Sequence, residues 1–347
     1  MAGHGAAAEA MLDRAILIRT GLFGASHPTV IDLRVQLASV LVSQGKAKEA
    51  VDAAETVLAD AGRSEAVTPE RLAVLKLSVG YIIGAFDRDR GKALATEAVA
   101  VLAETRPAAD PDLIEAQFKL AQVQTEKSAG RMIARRALAN ARNATLPPPT
   151  MATYLLRTAQ FEREGGAYAK SLALVREAEA ILADRPEMAV TLIAVLQERM
   201  LAYMALKRYD LAKVAMLESS ALIAKTMGGD GFAAHLFKLY EMAIRQELRE
   251  YREIDRMFDR TTLAFWNWVP RSDPSRAIAF GVLGNAKLYL GELAAARVWL
   301  RHAGESALDA TANRSGFDAA ALAHMRNLTP IFRDQVKANW QLARPNR

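Results

Sequence analysis

The 347-residue sequence contains no cysteine, which excludes disulfides, thiol nucleophiles and cysteine-bound metals. Lys and Arg number 45 and Asp and Glu number 39, and the resulting charge of +6 is spread along the chain rather than concentrated as in a nucleic-acid-binding protein. Hydrophobic residues make up 51% of the chain and aromatic residues 7%, and most of the apolar residues are Ala, Leu, Val and Ile. Because Ala is the strongest helix former, this composition favours an all-helical protein.

The N-terminal segment does not have the pattern of a secretory signal. It lacks a basic start, and Glu9, Asp13 and Arg14 interrupt its apolar residues. Elsewhere, charged or amide side chains interrupt every apolar run before it reaches about 18 residues, the length of a membrane-spanning helix. The sequence therefore predicts no transmembrane span and a cytoplasmic location.

The clearest unit of the chain covers residues 26–62, which predict two amphipathic helices joined by a turn at Gly45. Apolar residues recur with helical spacing on both sides of this turn. They are Val30, Leu33, Leu37, Val40 and Leu41 before the turn, and Ala50, Ala54, Val57 and Leu58 after it.

The same plan returns six more times, at intervals of 38 to 43 residues. A position near the start of the second helix marks each unit, and the aligned residues are Ala50, Ala93, Ile133, Ser171, Ala212, Ile254 and Ala296. Most of them are Ala or Ser, as expected where the two helices of a hairpin cross closely. The period predicts seven repeats over residues 26–312.

Extending the period assigns both ends of the chain. Residues 1–24 are predicted to form the second helix of a truncated repeat, and residues 313–347 a C-terminal repeat or capping helices that close the array around Ala338. An unpaired N-terminal helix would expose an apolar stripe that includes Leu12 and Leu17. We therefore expect further sequence before it, an irregular cap or a partner that covers this stripe.

These units resemble the tetratricopeptide repeat (TPR). The residues that carry the resemblance are the pairs Leu37-Ala38, Leu120-Ala121 and Leu283-Gly284, the turn glycines Gly45, Gly166 and Gly291, and the aromatic residues Tyr168, Tyr209 and Tyr251. A standard repeat has about 34 residues, so the longer spacing is similar to the elongated repeats of kinesin light chains and bacterial relatives, which often open with His-Pro, as His27-Pro28 does here. The resemblance implies an all-α fold, a single right-handed α-solenoid superhelix of stacked antiparallel helix pairs over residues 1–347.

No combination of residues matches a catalytic or metal site. The segment EGGAYAKS has Glu164 and Ala169 where a phosphate-binding loop requires Gly. The histidines are far apart and lack metal-ligand spacing, and no GxSxG motif is present. The sequence therefore predicts no enzymatic activity, no cofactor and no metal.

A basic cluster, formed by Arg131, Arg135, Arg136 and Arg142, lies on one predicted helix without interleaved acidic residues. Such a helix could contact a phosphate backbone or an acidic partner, but we favour a solvated helix face. The arginines between residues 245 and 260 alternate with acidic residues and predict surface salt bridges. The aromatic segment 265–270 is interpreted as packing between repeats. Nucleic acid is therefore disfavoured as a partner.

In the TPR family, the first helices of successive units line a concave groove that receives an extended peptide or a partner's helix. The resemblance implies that the groove of this chain is lined by Ser39, Phe118, Gln122, Gln160, Arg163, Gln197, Met204, Gln246 and Asn285. The Asn ladder of kinesin light chains and the Lys and Asn clamp of chaperone-binding relatives are both absent. What remains is an apolar surface with spaced amides. The amides can both donate hydrogen bonds to a peptide backbone and accept them from it, and the apolar side chains can contact anchor residues; alternatively, some of these residues face neighbouring helices.

The sequence thus predicts a protein–protein interaction scaffold that binds a peptide or a helix of a partner protein in this groove. An alternative is a regulatory or sensor module of a larger bacterial enzyme or signalling system, for example one with a caspase-like CHAT protease. A peptide-pheromone receptor that acts on DNA is disfavoured, because no helix-turn-helix module precedes the repeats.

Overall fold

The computed structural model describes residues 2–44, 46–228, 231–312 and 319–343. Regular structure in these residues is helical throughout, which confirms the predicted all-α solenoid. The chain divides into two compact units, Met1–Met188 and Ala189–Arg347.

Within the described residues, unit one contains nine α-helices and a short 3-10 turn at Pro186–Met188. The α-helices are α1 (Ala2–Phe23), α2 (Pro28–Ser43), α3 (Ala47–Arg63), α4 (Pro69–Gly84), α5 (Arg88–Thr105), α6 (Pro111–Gln122), α7 (Lys127–Arg142), α8 (Pro148–Glu164) and α9 (Tyr168–Leu182). Helices α2 to α9 form four successive hairpins, and α1 packs on α2. The second helix of each hairpin packs on the first helix of the next, so that the hairpins stack.

Unit two is less regular. Its helices are α10 (Ala189–Ala205), α11 (Tyr209–Met227), α12 (Phe232–Glu247), α13 (Tyr251–Met257), α14 (Arg260–Trp268), α15 (Pro274–Tyr289), α16 (Leu293–Ala312) and α17 (Ala319–Ala343). The pairs α10–α11 and α15–α16 are full hairpins, whereas the second helix that follows α12 is broken into α13 and α14. Asp259 ends the break, because its carboxylate accepts a hydrogen bond from the backbone N–H of Thr262 and caps α14.

The C-terminal helix α17 packs on both α16 and α15. The first helices α4, α6 and α15 pack in the same way, on the preceding second helix and the preceding first helix. Therefore α17 takes the place of a first helix, and the burial of Ala338 reflects its packing against Leu288, Ala296 and Leu300. Of the predicted segment 313–347, residues 313–318 and 344–347 lie outside the described residues.

Several first helices begin with a proline behind a capping side chain. His27 precedes Pro28, and its Nδ1 accepts a hydrogen bond from the Thr29 backbone N–H. The side chains of Thr68, Asp110 and Asp273 cap α4, α6 and α15 in the same manner. Pro costs no hydrogen bond in a first turn, so the combination fixes where these helices start.

Four of the described turns inside hairpins use a left-handed backbone residue, whereas the turns before α5 and α7 do not. Gly166 and Gly291 adopt φ of 79° and 81° directly before α9 and α16. At the corresponding places before α11 and α13, Lys207 and Arg249 adopt φ of 57° and 60°. In these four turns the left-handed conformation is kept even where the sequence does not supply glycine. The predicted turn at Gly45 lies outside the described residues.

The close crossing of each hairpin occurs at the predicted position in five units. Ala50, Ser171, Ala212, Ile254 and Ala296 are all fully buried near the start of their helices. The predictions for the second and third units are wrong: Ala93 is exposed, Ile133 is half-buried, and the buried residues at the crossings are Gly91 and Gly130. A Cβ on Gly91 would lie 2.5 Å from the Gly84 Cα, so only glycine fits this crossing.

Helix α1 has one face on α2 and one face open. Leu12 and Ile16 are half-buried, whereas Met11, Leu17 and Leu22 are exposed. The Lys46 ammonium lies 2.7 Å from the Glu9 carboxylate and ties α1 to the start of α3. The predicted exposure therefore applies to Leu17 and only partly to Leu12.

Among the residues that the structure describes, one stretch, Pro186–Ala205, is long and apolar enough by composition to cross a membrane, with a mean hydropathy of 1.3. Core helices of helical hairpins share this composition, and α10 within this stretch pairs with α11. Glu198 in α10 is buried, and charged residues of this kind are rare within membrane-spanning helices. A single such segment is weak evidence for a membrane span.

Candidate functional site

Three first helices of unit one, α2, α4 and α6, form a surface depression of about 390 Å³. Ser39 and Gln122 lie on its wall, so the fold brings together two residues that the sequence predicted to share a surface. Tyr81, which the sequence analysis did not single out, lies between them and is 51% exposed. It was missed because no residue of the second unit was included in the predicted groove.

The chemistry of this depression is mixed. Ser39 donates a hydrogen bond to the Val35 carbonyl oxygen at 3.0 Å, while the Gln122 side chain is exposed. The rest of the lining includes the apolar side chains of Val42, Ile82 and Val123 and one cation, Arg88. Gly84 forms part of the floor, and its lack of a side chain leaves room above Val123. Such a surface can accept an aromatic or aliphatic side chain and hydrogen-bond the backbone beside it.

Phe118 does not face a groove, and this prediction is wrong. Its side chain has 0% exposure, and its ring stacks on that of Tyr154 with centroids 4.8 Å apart. The Arg157 guanidinium lies 5.8 Å from the Phe118 ring centroid. Burial of a large aromatic residue between α6 and α8 stabilises the stack of hairpins instead.

The other predicted residues of unit one, Gln160 and Arg163, lie on α8. Both side chains are half-buried, and the Arg163 Nη2 is 3.9 Å from the Glu164 Oε1. Neither residue lines the depression that contains Ser39 and Gln122.

In unit two, Gln197 and Met204 lie on α10. The Gln197 Nε2 donates a hydrogen bond to the Tyr240 hydroxyl at 3.4 Å, which links α10 to α12. Met204 is half-buried against a cluster that includes Met200, Met216 and Ile244. Both predicted residues therefore contribute to packing between helices.

Gln246 and Asn285 line a second cavity, of about 240 Å³, between α12, α15 and α17. Asn285 is only 8% exposed, and its Nδ2 donates a hydrogen bond to Asp334 Oδ2 at 2.6 Å. The prediction that Asn285 lies open in a long groove is wrong, because α17 covers that face of α15. Asp334 itself was missed, since no local pattern links it to a residue 49 positions earlier.

The basic cluster on α7 is largely engaged by the next hairpin. Arg131 donates a hydrogen bond to the Gly165 carbonyl oxygen at 2.9 Å, and Arg142 is 2.7 Å from the Glu177 carboxylate. Arg135 pairs with Glu162, which is 3% exposed and lies on α8. The hydrogen bond that Arg135 donates to Glu162 raises the pKa of the Arg135 guanidinium. These cations join α7 to α8 and α9.

The aromatic segment 265–270 is split between core and surface. Trp266 is buried, and the Phe265 ring stacks on His235 with centroids 4.0 Å apart. Trp268 is 73% exposed. Among the residues that the structure describes, no group of three His, Asp or Glu side chains is placed to hold a metal ion.

No family model matches the sequence, and no curated protein shows significant sequence similarity to it. Solved structures resemble the fold. The TPR-like repeats of a kinesin light chain from Podosopora anserina are 21% identical, with a TM-score of 0.50 over 58% of this chain and 97% of that one. The apo form of RapI is 10% identical, with a TM-score of 0.57 over 96% and 94%.

A third neighbour is a signal-transduction ATPase with a tetratricopeptide repeat sensor from Pyrococcus horikoshii. It is 11% identical, with a TM-score of 0.56 over 76% of this chain and 39% of that one. These likenesses place the chain, by fold, among the α-solenoid proteins built from helical hairpins. Its repeats are TPR-like, as the residue pattern indicated.

Proposed function

We propose that this chain is a scaffold for protein–protein interaction that binds an extended peptide or a helix of a partner on its first helices. The observation that carries the proposal is the depression on α2, α4 and α6, where Ser39, Gln122 and Tyr81 converge from three hairpins. The TPR-like fold supports an interaction role in general. The proposal includes a cytoplasmic location and no catalytic activity of the chain itself.

The test begins with affinity purification of the full chain from its source organism, followed by mass spectrometry of what it retains. Binding of the recovered partner is then measured for Tyr81→Ala combined with Gln122→Ala. We expect the affinity to fall at least about ten-fold, because an exposed aromatic residue in a concave site is a typical binding hot spot.

Met132→Ala is the matched control, since Met132 is a large exposed side chain on the second helix α7. It should leave the affinity unchanged. Equal affinity of the double variant and the unmodified chain, with both folded, would exclude this depression as the binding surface.

A second candidate is a sensor module within a larger signalling system. It is favoured by the structural likeness to the repeat sensor of the Pyrococcus horikoshii ATPase. The reading frame that flanks the coding sequence distinguishes the two candidates. A signalling or protease domain encoded in the same frame favours the sensor, and a separate partner recovered by the purification favours the free scaffold.

A further inference from the structure

The cavity between α12, α15 and α17 is lined by residues whose hydrogen-bond acceptors have no donor partner. The Oδ1 of Asn285 and the Oε1 of Gln246 are both buried and accept no hydrogen bond. Asn285 is more than nine-tenths buried, and both residues line the cavity. A buried acceptor without a donor is unfavourable, so a ligand that supplies donors here would recover part of that cost.

The cavity also carries negative charge. Asp334, 8% exposed, and Glu247 line it together with the two amides. None of the described residues lining the cavity is a cation. Arg333 lies close by, with its Nε 3.7 Å from Asp334 Oδ1, but its side chain is 74% exposed and is not part of the lining. A donor that is also positively charged therefore matches the cavity best.

The volume of the cavity is suited to a single amino-acid side chain. The volume of about 240 Å³ is below the range of about 300–1,000 Å³ that drug-sized ligands occupy. Ile278, Val282 and Ile331 form apolar walls around the polar end. A lysine side chain has this combination, because its methylene stem packs on apolar surface and its ammonium carries three donors.

We propose that this cavity binds the lysine side chain of a protein partner, with the ammonium donating to Gln246 Oε1, Asn285 Oδ1 and Asp334. The inference rests on the proposed scaffold function and names the chemistry of the partner. Arginine fits less well, because its planar fork prefers both oxygens of a carboxylate, and Asp334 Oδ2 already accepts from Asn285. A free N-terminal amine lacks the methylene stem that the apolar walls would contact.

The experiment titrates the full chain with small probes and follows the methyl signals of Ile278 and Ile331 by NMR. The probes are the N-acetyl methylamides of lysine, norleucine and arginine, and glycine methylamide with its free amine. We expect the lysine probe to shift both methyl signals and to bind at least about ten-fold more tightly than the norleucine probe, which lacks only the ammonium group.

Two variants assign the site. Asp334→Asn keeps the shape of the side chain and removes its charge, and Gln246→Leu removes one acceptor. Each variant should lower the affinity for the lysine probe and leave the affinity for the norleucine probe unchanged. Gln36→Leu, at an exposed position of α2 in unit one, is the control and should change neither. If Asp334→Asn fails to fold, Gln246→Leu still tests the assignment.

Equal binding of the lysine and norleucine probes would overturn the proposal, and so would tighter binding of glycine methylamide or of the arginine probe. The absence of any shift in a folded chain would also overturn it. Loss of partner binding in the Tyr81 and Gln122 double variant concerns the depression of unit one alone. The scaffold proposal and the lysine-cavity proposal can therefore be contradicted independently of each other.

Discussion

At the scale of single residues, glycine and small side chains determine how closely the helices of a hairpin approach. Gly80, Gly84 and Gly91 meet where α4 crosses α5, and a Cβ on Gly91 would lie 2.5 Å from the Gly80 carbonyl oxygen. Backbone atoms cannot move aside as a side chain can. The period alone did not distinguish Gly91 from Ala93, because both are small residues near the start of α5.

We expect Gly91→Ala to destabilise unit one by about 1–3 kcal/mol, the usual cost of forcing extra volume into a packed contact. Gly62→Ala is the matched control, because Gly62 lies in α3 and a Cβ added there would have nothing within 4 Å. It should stabilise the helix by about 0.5–1 kcal/mol. Urea unfolding of both variants measures the difference, and a Gly91→Ala chain as stable as the unmodified one would contradict the crossing.

The left-handed turn residues give a second prediction of opposite sign. Lys207 adopts φ of 57°, where Gly166 and Gly291 occupy the same turn in other hairpins. We expect Lys207→Gly to raise stability by about 0.5–1 kcal/mol, since relief of the left-handed strain exceeds the extra chain entropy of glycine. Lys225→Gly, inside α11, should lower stability and serves as the control. Thermal unfolding that ranks the two variants in the reverse order would refute this.

At the scale of elements, ion pairs join successive helices across hairpins. In unit two, the Lys213 ammonium of α11 and the Arg245 guanidinium of α12 both lie 2.6 Å from the Glu250 carboxylate at the start of α13. The hydrogen bond from Lys213, assisted by Arg245, holds the pKa of Glu250 below its usual value. The charged carboxylate therefore stabilises the folded state above the unfolded pKa, and this contribution disappears as the pH falls through the folded pKa.

We expect Glu250→Gln to lower the stability of unit two by up to about 1 kcal/mol at neutral pH, because the carboxylate is partly exposed and screened by solvent. The difference from the unmodified chain should vanish in acid, below the folded pKa. Glu253→Gln, which breaks an exposed pair with Arg256, is the control and should have little effect at either pH. Urea unfolding at both pH values measures this; a difference that persists in acid would argue against the linkage.

The helices and turns also show which structural features could be predicted from the sequence and which could not. The period located five of the seven crossings, because residues such as Ser171 and Ala212 repeat a small side chain at a fixed distance after a turn. It failed at Phe118, because the third repeat was aligned on Ile133 rather than on the buried Gly130, and the helical register decides whether a side chain faces solvent or the next hairpin. It also missed Asp334, whose partner is fixed only when α17 folds over α15.

At the scale of the whole molecule, each unit has its own hydrophobic clusters. One cluster of unit one runs from Ile31 to Ile83 and another from Ala73 to Val123, and a large cluster of unit two runs from Leu239 to Ile331. A stack of repeats is stabilised mainly by contacts between neighbours, and about three repeats suffice for a stable array. The described part of unit one has four hairpins.

We therefore expect residues 1–188, expressed alone, to be helical and to unfold cooperatively. A fragment of residues 1–164 ends inside the fourth hairpin, so that α8 lacks α9, and it should be less stable. Circular dichroism in urea compares the two. Absence of a cooperative transition in residues 1–188 would show that unit one requires the rest of the chain.

The broken second helix of unit two has a consequence for hydrogen exchange. Helix α13 has seven residues, and only Ile254 among them is fully buried, whereas α11 and α16 are more than twice as long. Because repeats transmit order only to their neighbours, the shortest link needs the least free energy to open. We therefore expect the backbone amides of α13 to exchange first in unit two, with α10 to α12 and α15 to α17 protected as separate segments.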